Sequence, residues 1–203
     1  MSTQTNIDSS SQGDEKHTIA TYLSDLLALE RHMAAPITTQ TKSGEHQEYP
    51  EAAQIFARLK MLTDDHIARL EAQLKAVGGH PASGIKSAWS QLIGGGAAAI
   101  NTARKTKVSK SLRDDYTALG LSSISYTMFH ATALGLGDAA SAALAKRHLD
   151  DITPIIVQIS QIIPGVVLGE LKEDGENVQV TAAQISAQVT GESWSNSKTG
   201  ADA

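Results

Sequence analysis

The sequence predicts an all-α protein, an antiparallel four-helix bundle with a long crossover between helices two and three and a C-terminal extension. Three observations lead there. Four segments carry apolar residues at the spacing of three and four that marks one face of a helix. Hydrophobic residues make up 41% of the chain but aromatics only 4%, so the core must be built of Ala, Leu and Ile, which favours close-packed helices over aromatic-rich strands. Glycines punctuate the ends of two of these segments, at Gly78-Gly79 and at Gly135 and Gly137.

Residues 1–15, rich in Ser, Thr, Gln and Asp, bury too little to offset their ordering entropy and are expected as a disordered tail. The first helix is expected from about Lys16 to Ile37, with Pro36 in its last turn and the stripe Leu23, Leu26, Leu27, Ala34, Ile37. The second opens at Pro50, a residue preorganised for the first helical position, and stops at Gly78-Gly79. Its stripe is Ile55, Phe56, Leu59, Leu62, Leu70, Leu74, Val77. The short polar link between the two makes them an antiparallel pair.

From His80 to Lys110 the pattern breaks, with short helices expected around Ile85 to Ile93 and Ala97 to Ala103. That length suits a crossover along the bundle, which sets helices two and three parallel. The third helix is expected from Ser111, where Ser-Leu-Arg-Asp resembles a capping box, to Gly135. Its stripe reads Leu112, Tyr116, Leu119, Ser123, Tyr126 or Thr127, and His130. Asp138 is the expected N-cap of the fourth helix, which runs toward Ile163 with a kink at Pro154 or a restart capped by Thr153. The bundle thus spans 16–163, and residues 164–203 form an extension, partly disordered, that packs across the bundle or against another subunit.

Each apolar stripe carries inward polar groups near its middle: Glu30 in the first, His66 in the second, His130 in the third, His148 and Asp151 in the fourth. In an antiparallel bundle these positions converge at one depth, where Tyr126 could join them. Imidazole with carboxylate suits iron, manganese or zinc, whereas calcium and magnesium demand more oxygen. A buried carboxylate without partners costs several kcal/mol, so either a metal ion or a mutual polar network must compensate Glu30. His17, His32, His46 and His80 fall in loops or on polar faces and are read as solvated; Asp64 and Asp65 point toward the flank of helix two, and the spacing from Asp64 to Ala68 or Arg69 is read as helix-surface pairing.

The stretch LSDLLALERHMAAPI, residues 23–37, resembles the first-helix motif of the YciE/YciF-type ferritin-like family (DUF892), with a Glu at position 30. The likeness continues through His66-Ile67-Ala68-Arg69-Leu70-Glu71, the Gly78-Gly79-His80-Pro81 end of helix two and a crossover resembling Ser87 to Gly96, covering roughly 20–162. It implies a ferritin-like bundle, stress-associated, with a metal site to which Glu30 and Asp150 or Asp151 carry over. The chain departs from that family at Leu62-Thr63 in helix two and Ile124 to Met128 in helix three, where acidic or histidine positions are missing. Two divalent ions call for about four carboxylates, so one ion, iron or else manganese or zinc, is easier to hold than two, and none is easier still.

The expected function is a ferritin-like bundle whose core cluster holds one transition-metal ion. The rival is a metal-free structural or protein-interaction bundle that has lost an ancestral di-iron site. No catalytic residue stands out, and a homo-oligomer through the C-terminal extension is a third expectation. A net charge of -5 offers no basic footprint for nucleic acid. Without cysteines there is no disulfide or thiolate site. The polar N-terminus carries no apolar signal region, and no run is expected to approach membrane-spanning length; the expected location is the cytoplasm.

Overall fold

The computed structural model describes residues 4–80 and 107–196. They form five helices, α1 (Gln4–Lys42), α2 (Pro50–Ala76), α3 (Val108–Gly135), α4 (Ala139–Glu173) and α5 (Ala182–Asn196), with one 3-10 turn at Gly44–His46. The first four make the bundle. Helix α1 packs on α2 and α3, and α4 packs on α3 and α2, so that α1 and α4 stand on one diagonal. Helix α5 lies against α4. Ile19 of α1, Val77 after α2 and Leu136 after α3 meet at one end of the bundle. Tyr49 before α2, Lys107 before α3 and Glu173 and Asp174 of the α4 terminus meet at the other. Helices α2 and α3 therefore run parallel, as a crossover requires. The expected crossover helices, Ile85 to Ile93 and Ala97 to Ala103, lie outside the described residues.

Helix boundaries follow local chemistry where that chemistry is strong. Gly78, at φ 88°, ends α2: its N–H bonds the Lys75 carbonyl at 3.0 Å and the Gly79 N–H bonds that of Leu74 at 2.8 Å. This paired arrangement needs a left-handed residue just past the helix. Gly137, at φ 72°, repeats it after α3, with the Asp138 N–H on the Ala133 carbonyl at 2.8 Å. Asp138 then caps α4, accepting from the Ser141 N–H at 3.0 Å.

Four boundaries differ from the sequence reading, the first through the ease of extending a helix already formed and the other three because tertiary packing outweighs local signals. Helix α1 reaches back to Gln4, through most of the expected disordered tail, since extending an existing helix costs far less than starting one. It also passes Pro36 to Lys42: Ile37 is still buried in the core, and the hydroxyls of Thr38 and Thr39 bond the carbonyls of Ala34 and Ala35. Helix α3 begins at Val108 rather than Ser111, because the buried Glu170 carboxylate of α4 accepts from both the N–H and the hydroxyl of Ser109. Helix α4 runs through Pro154 and Pro164 to Glu173 without restarting; Thr153 bonds back to the Leu149 carbonyl, and Ile152, Ile155, Ile159 and Val166 stay buried on one face.

That last helix corrects a further expectation. By length and composition α4 is long and apolar enough to cross a membrane, because Gln158, Ser160 and Gln161 are polar but uncharged and do not interrupt the run. Here its inward face belongs to the bundle.

The core is aliphatic, as composition demands, but its largest fully buried side chains are Tyr126, Phe56 and Phe129. Both phenylalanines of the chain are thus spent in the interior.

Candidate metal centre

Glu30, His66 and His148 are buried at 1%, 1% and 0% exposure, and they come from α1, α2 and α4. Glu30 is placed by the register that buries Leu23, Leu26, Leu27 and Ile37 beside it. His66 follows from the α2 stripe Ile55, Phe56, Leu59, Thr63, Leu70, Leu74, and His148 from Ala145, Ile152 and Ile155 on α4. In each case a polar residue occupies a position that helical period forces inward. Helix α3 contributes Tyr126, fully buried between them.

The Tyr126 hydroxyl donates to Glu30 Oε1 at 2.7 Å, and His66 Nδ1 lies 3.0 Å from the same oxygen. The imidazoles of His66 and His148 stack nearly parallel, their ring centres 3.8 Å apart and their planes at 8°. Tyr126 meets the His148 ring edge-on at 4.9 Å. Asp151, one turn beyond His148, brings Oδ2 to 3.5 Å from His66 Nε2, with its side chain 32% exposed. The group therefore opens toward solvent on the Asp151 side.

Burial, and then the proximity of His66, push the His148 imidazole down to about 2, so it is neutral with a lone pair free. Burial and the Glu30 charge hold the Tyr126 phenol well above its ordinary range, so it stays a donor. His66 faces Glu30 with Nδ1 and Asp151 with Nε2. Glu30 Oε2, His66 Nε2 and both nitrogens of His148 have no hydrogen-bond partner among the described residues. An unsatisfied buried polar atom costs about 1–3 kcal/mol, so four such atoms at one place are a large standing defect. One donor atom from each of Glu30, His66 and His148 lies within 4.8 Å of the others. Two donors on opposite sides of one ion, each about 2.1 Å away, span roughly 4.2 Å, close to the size of the group, and the stacked rings would turn to aim both imidazoles at the ion. The residues fit a metal ion: one carboxylate and two imidazoles, with no hydrogen bond on the free atoms.

His130, expected in this group, is not part of it. The core face of α3 runs Leu112, Asp115, Leu119, Ser122, Tyr126, Phe129, Ala133, alternating three and four. His130 follows Phe129 by one residue, about 100° round the helix, and is only half buried. The expected stripe drifted to Tyr116, Ser123 and His130, one residue late at each. That same drift hid Asp115, a carboxylate that an unbroken three-four count from Leu112 would have exposed. Asp64 and Asp65 pair on the helix surface as expected in kind, but Asp64 takes Lys60, and Arg69 goes to Asp65. His17, His32 and His80 are exposed, but His46 is half buried, its ring edge-on to Phe56 at 5.8 Å.

No family model matches the chain, and no curated protein does. Solved structures do. A Xanthomonas campestris protein superposes with a TM-score of 0.63 at 17% identity, over 80% of this chain and 99% of its own. The bacterioferritin of Desulfovibrio desulfuricans, a structure that follows a diiron site through different catalytic states, superposes with a TM-score of 0.57 at 17% identity, over 81% and 86%. At such identity the likeness speaks for the fold. The chain has a ferritin-like all-α fold, and on it a buried carboxylate and two imidazoles form a group able to coordinate a metal ion.

Proposed function

We propose that this protein holds one divalent transition-metal ion between Glu30, His66 and His148, with Asp151 at the open side of the site. The observation that carries this reading is the convergence at one depth of four buried polar atoms from three helices that make no hydrogen bond. An iron ion bound there would supply Lewis acidity and one-electron chemistry. Tyr126 fixes Glu30 by its hydrogen bond, His66 Nδ1 holds the same oxygen, and the apolar surroundings exclude bulk water. A single ion is favoured over a pair because Glu30 is the one carboxylate in the buried group, and two divalent charges would be left uncompensated.

Iron is preferred to manganese or zinc on the strength of the fold shared with bacterioferritin, a diiron protein. The motif in residues 23–37 supports a place among the YciE/YciF-type proteins (DUF892) and with it a stress-associated role. The acidic net charge offers no footprint for nucleic acid, the lack of cysteines fits a cytoplasmic protein, and the C-terminal extension is the segment through which it would assemble with copies of itself.

Elemental analysis of protein purified without chelator tests the reading. Close to one ion per chain is expected, lost in His148→Leu, with added iron(II), manganese or zinc raising the melting temperature of the stripped protein. Metal-free protein whose melting is indifferent to all three ions would overturn it and leave the metal-free structural bundle.

A further inference from the structure

A second polar defect lies in the core, between the C-terminal half of α1 and the N-terminal half of α3. Asp115 stands on the α3 core face between Leu112 and Leu119 and is 5% exposed. Its Oδ1 accepts from Gln40 Nε2 at 3.0 Å. Its Oδ2 has no hydrogen-bond partner among the described residues, and neither has Oε1 of Gln40. Two oxygen acceptors, one from each helix, are thus left without a donor. Gln40 lies ten residues past Glu30 on α1, roughly 15 Å along the helix, so this is a separate place from the metal centre.

Both residues line a cavity of about 590 Å³, within the range usual for small-molecule sites. Its apolar walls include Met33, Pro36, Ile37 and Leu59. Burial pushes the Asp115 carboxyl up to about 7, against the opposing effect of the Gln40 hydrogen bond and with a further push from Asp114. An acid in that condition gains from any positive charge brought beside it.

We propose that this cavity binds a small primary ammonium compound with an apolar body, its nitrogen held by the Asp115 carboxylate and the Gln40 amide oxygen, whose buried oxygens turn toward it from the cavity wall. An ammonium group carries three donors and a positive charge, which answer two unsatisfied acceptors of which one is a carboxylate. Hydrocarbon walls suit the remainder of the molecule. A calcium or magnesium ion would seek six or more oxygens from a wall that is largely hydrocarbon. An anion meets Asp114 and Asp115, and an alcohol brings one donor and no charge.

Titration of the full chain with hexylamine, hexan-1-ol and hexanoate, followed by calorimetry and by methyl chemical shifts of Ile37, Leu59 and Leu119, tests this. Saturable binding of hexylamine is expected, about tenfold or more tighter than of the alcohol or the acid. Asp115→Asn should remove that preference, and Gln40→Leu should weaken hexylamine by a similar factor. Should Asp115→Asn fail to fold by circular dichroism, Gln40→Leu decides alone. Absence of saturable hexylamine binding, equal binding of alcohol and amine, or undiminished amine affinity in the variants overturns the proposal.

Discussion

Glu30 and Asp115 are both carboxylates on the core faces of bundle helices, and both are all but inaccessible. Their surroundings part them. Glu30 receives the Tyr126 hydroxyl and faces His66 Nδ1, donors from two other helices that converge on one oxygen. Asp115 receives a single neutral amide, from Gln40, and burial drives its carboxyl up to about 7. Depth alone therefore does not decide how well a buried acid is partnered. The number and charge of the donors the fold brings to it does, and in a bundle those donors come from neighbouring helices.

The sharpest way to break this comparison is Glu30→Ala, which strips the partner from His66 and Tyr126 in a dry core. A loss of about 3–5 kcal/mol in urea unfolding is expected; a loss no greater than that of Asp115→Ala would dissolve the distinction. Next comes pH. The folded state holds the Asp115 proton more tightly than the unfolded chain, where the carboxyl has its ordinary value of 3.8. The favourable difference is complete below the unfolded value and fades as pH rises toward about 7, beyond which ionised Asp115 is a constant burden. Between pH 4.5 and 7.5 the wild type should lose roughly 2–4 kcal/mol relative to Asp115→Asn, in matched denaturation curves. Parallel curves would mean that Asp115 is already compensated.

Tyr126→Phe tests the donor side alone, since it removes one hydroxyl and keeps the ring. About 1.5–3 kcal/mol should go, as for a hydrogen bond to a charged group, together with weaker metal retention if the metal reading holds. The smallest effect belongs to Asp150, next to the candidate ligand Asp151 but paired with Lys146 in solvent. Asp150→Ala should change stability by less than about 0.5 kcal/mol. A large effect there would mean that the acidic pair on α4 acts as a unit.

Much of the site was legible because a charged or imidazole residue inside an apolar stripe is conspicuous. Glu30, His66 and His148 stand where the stripes Leu23 to Ile37, Ile55 to Leu74 and Leu144 to Ile162 stand out in the sequence, although on α4 the buried line runs through Ala145, Ile152, Ile155 and Ile159, with Leu144 and Ile162 beside it. Helix α3 was harder. Between Ser122 and Thr127 it is nearly all small or hydroxylated, so hydrophobic contrast is weak and the phase slipped by one residue, exchanging His130 for Phe129 and overlooking Asp115. Partner helices pick the phase there: the Ser122 hydroxyl reaches Met33 Sδ at 3.2 Å and Tyr126 reaches Glu30. Helix ends were legible at Gly78, Gly137 and Asp138, where one residue's own conformation or side chain does the stopping. They were not legible at Ser109, whose cap is supplied by Glu170 from another helix.

By itself the sequence determined an all-α bundle, the order of its helices and three of the polar residues that face inward, because helical period and glycine stops are properties of a few consecutive residues. Only the tertiary structure decided which phase α3 presents, how far the helices run through Pro36, Pro154 and Pro164, and which acids have donors. Each of those depends on burial and hydrogen bonds supplied by residues distant in the chain, and their free energies exceed the local preferences they override.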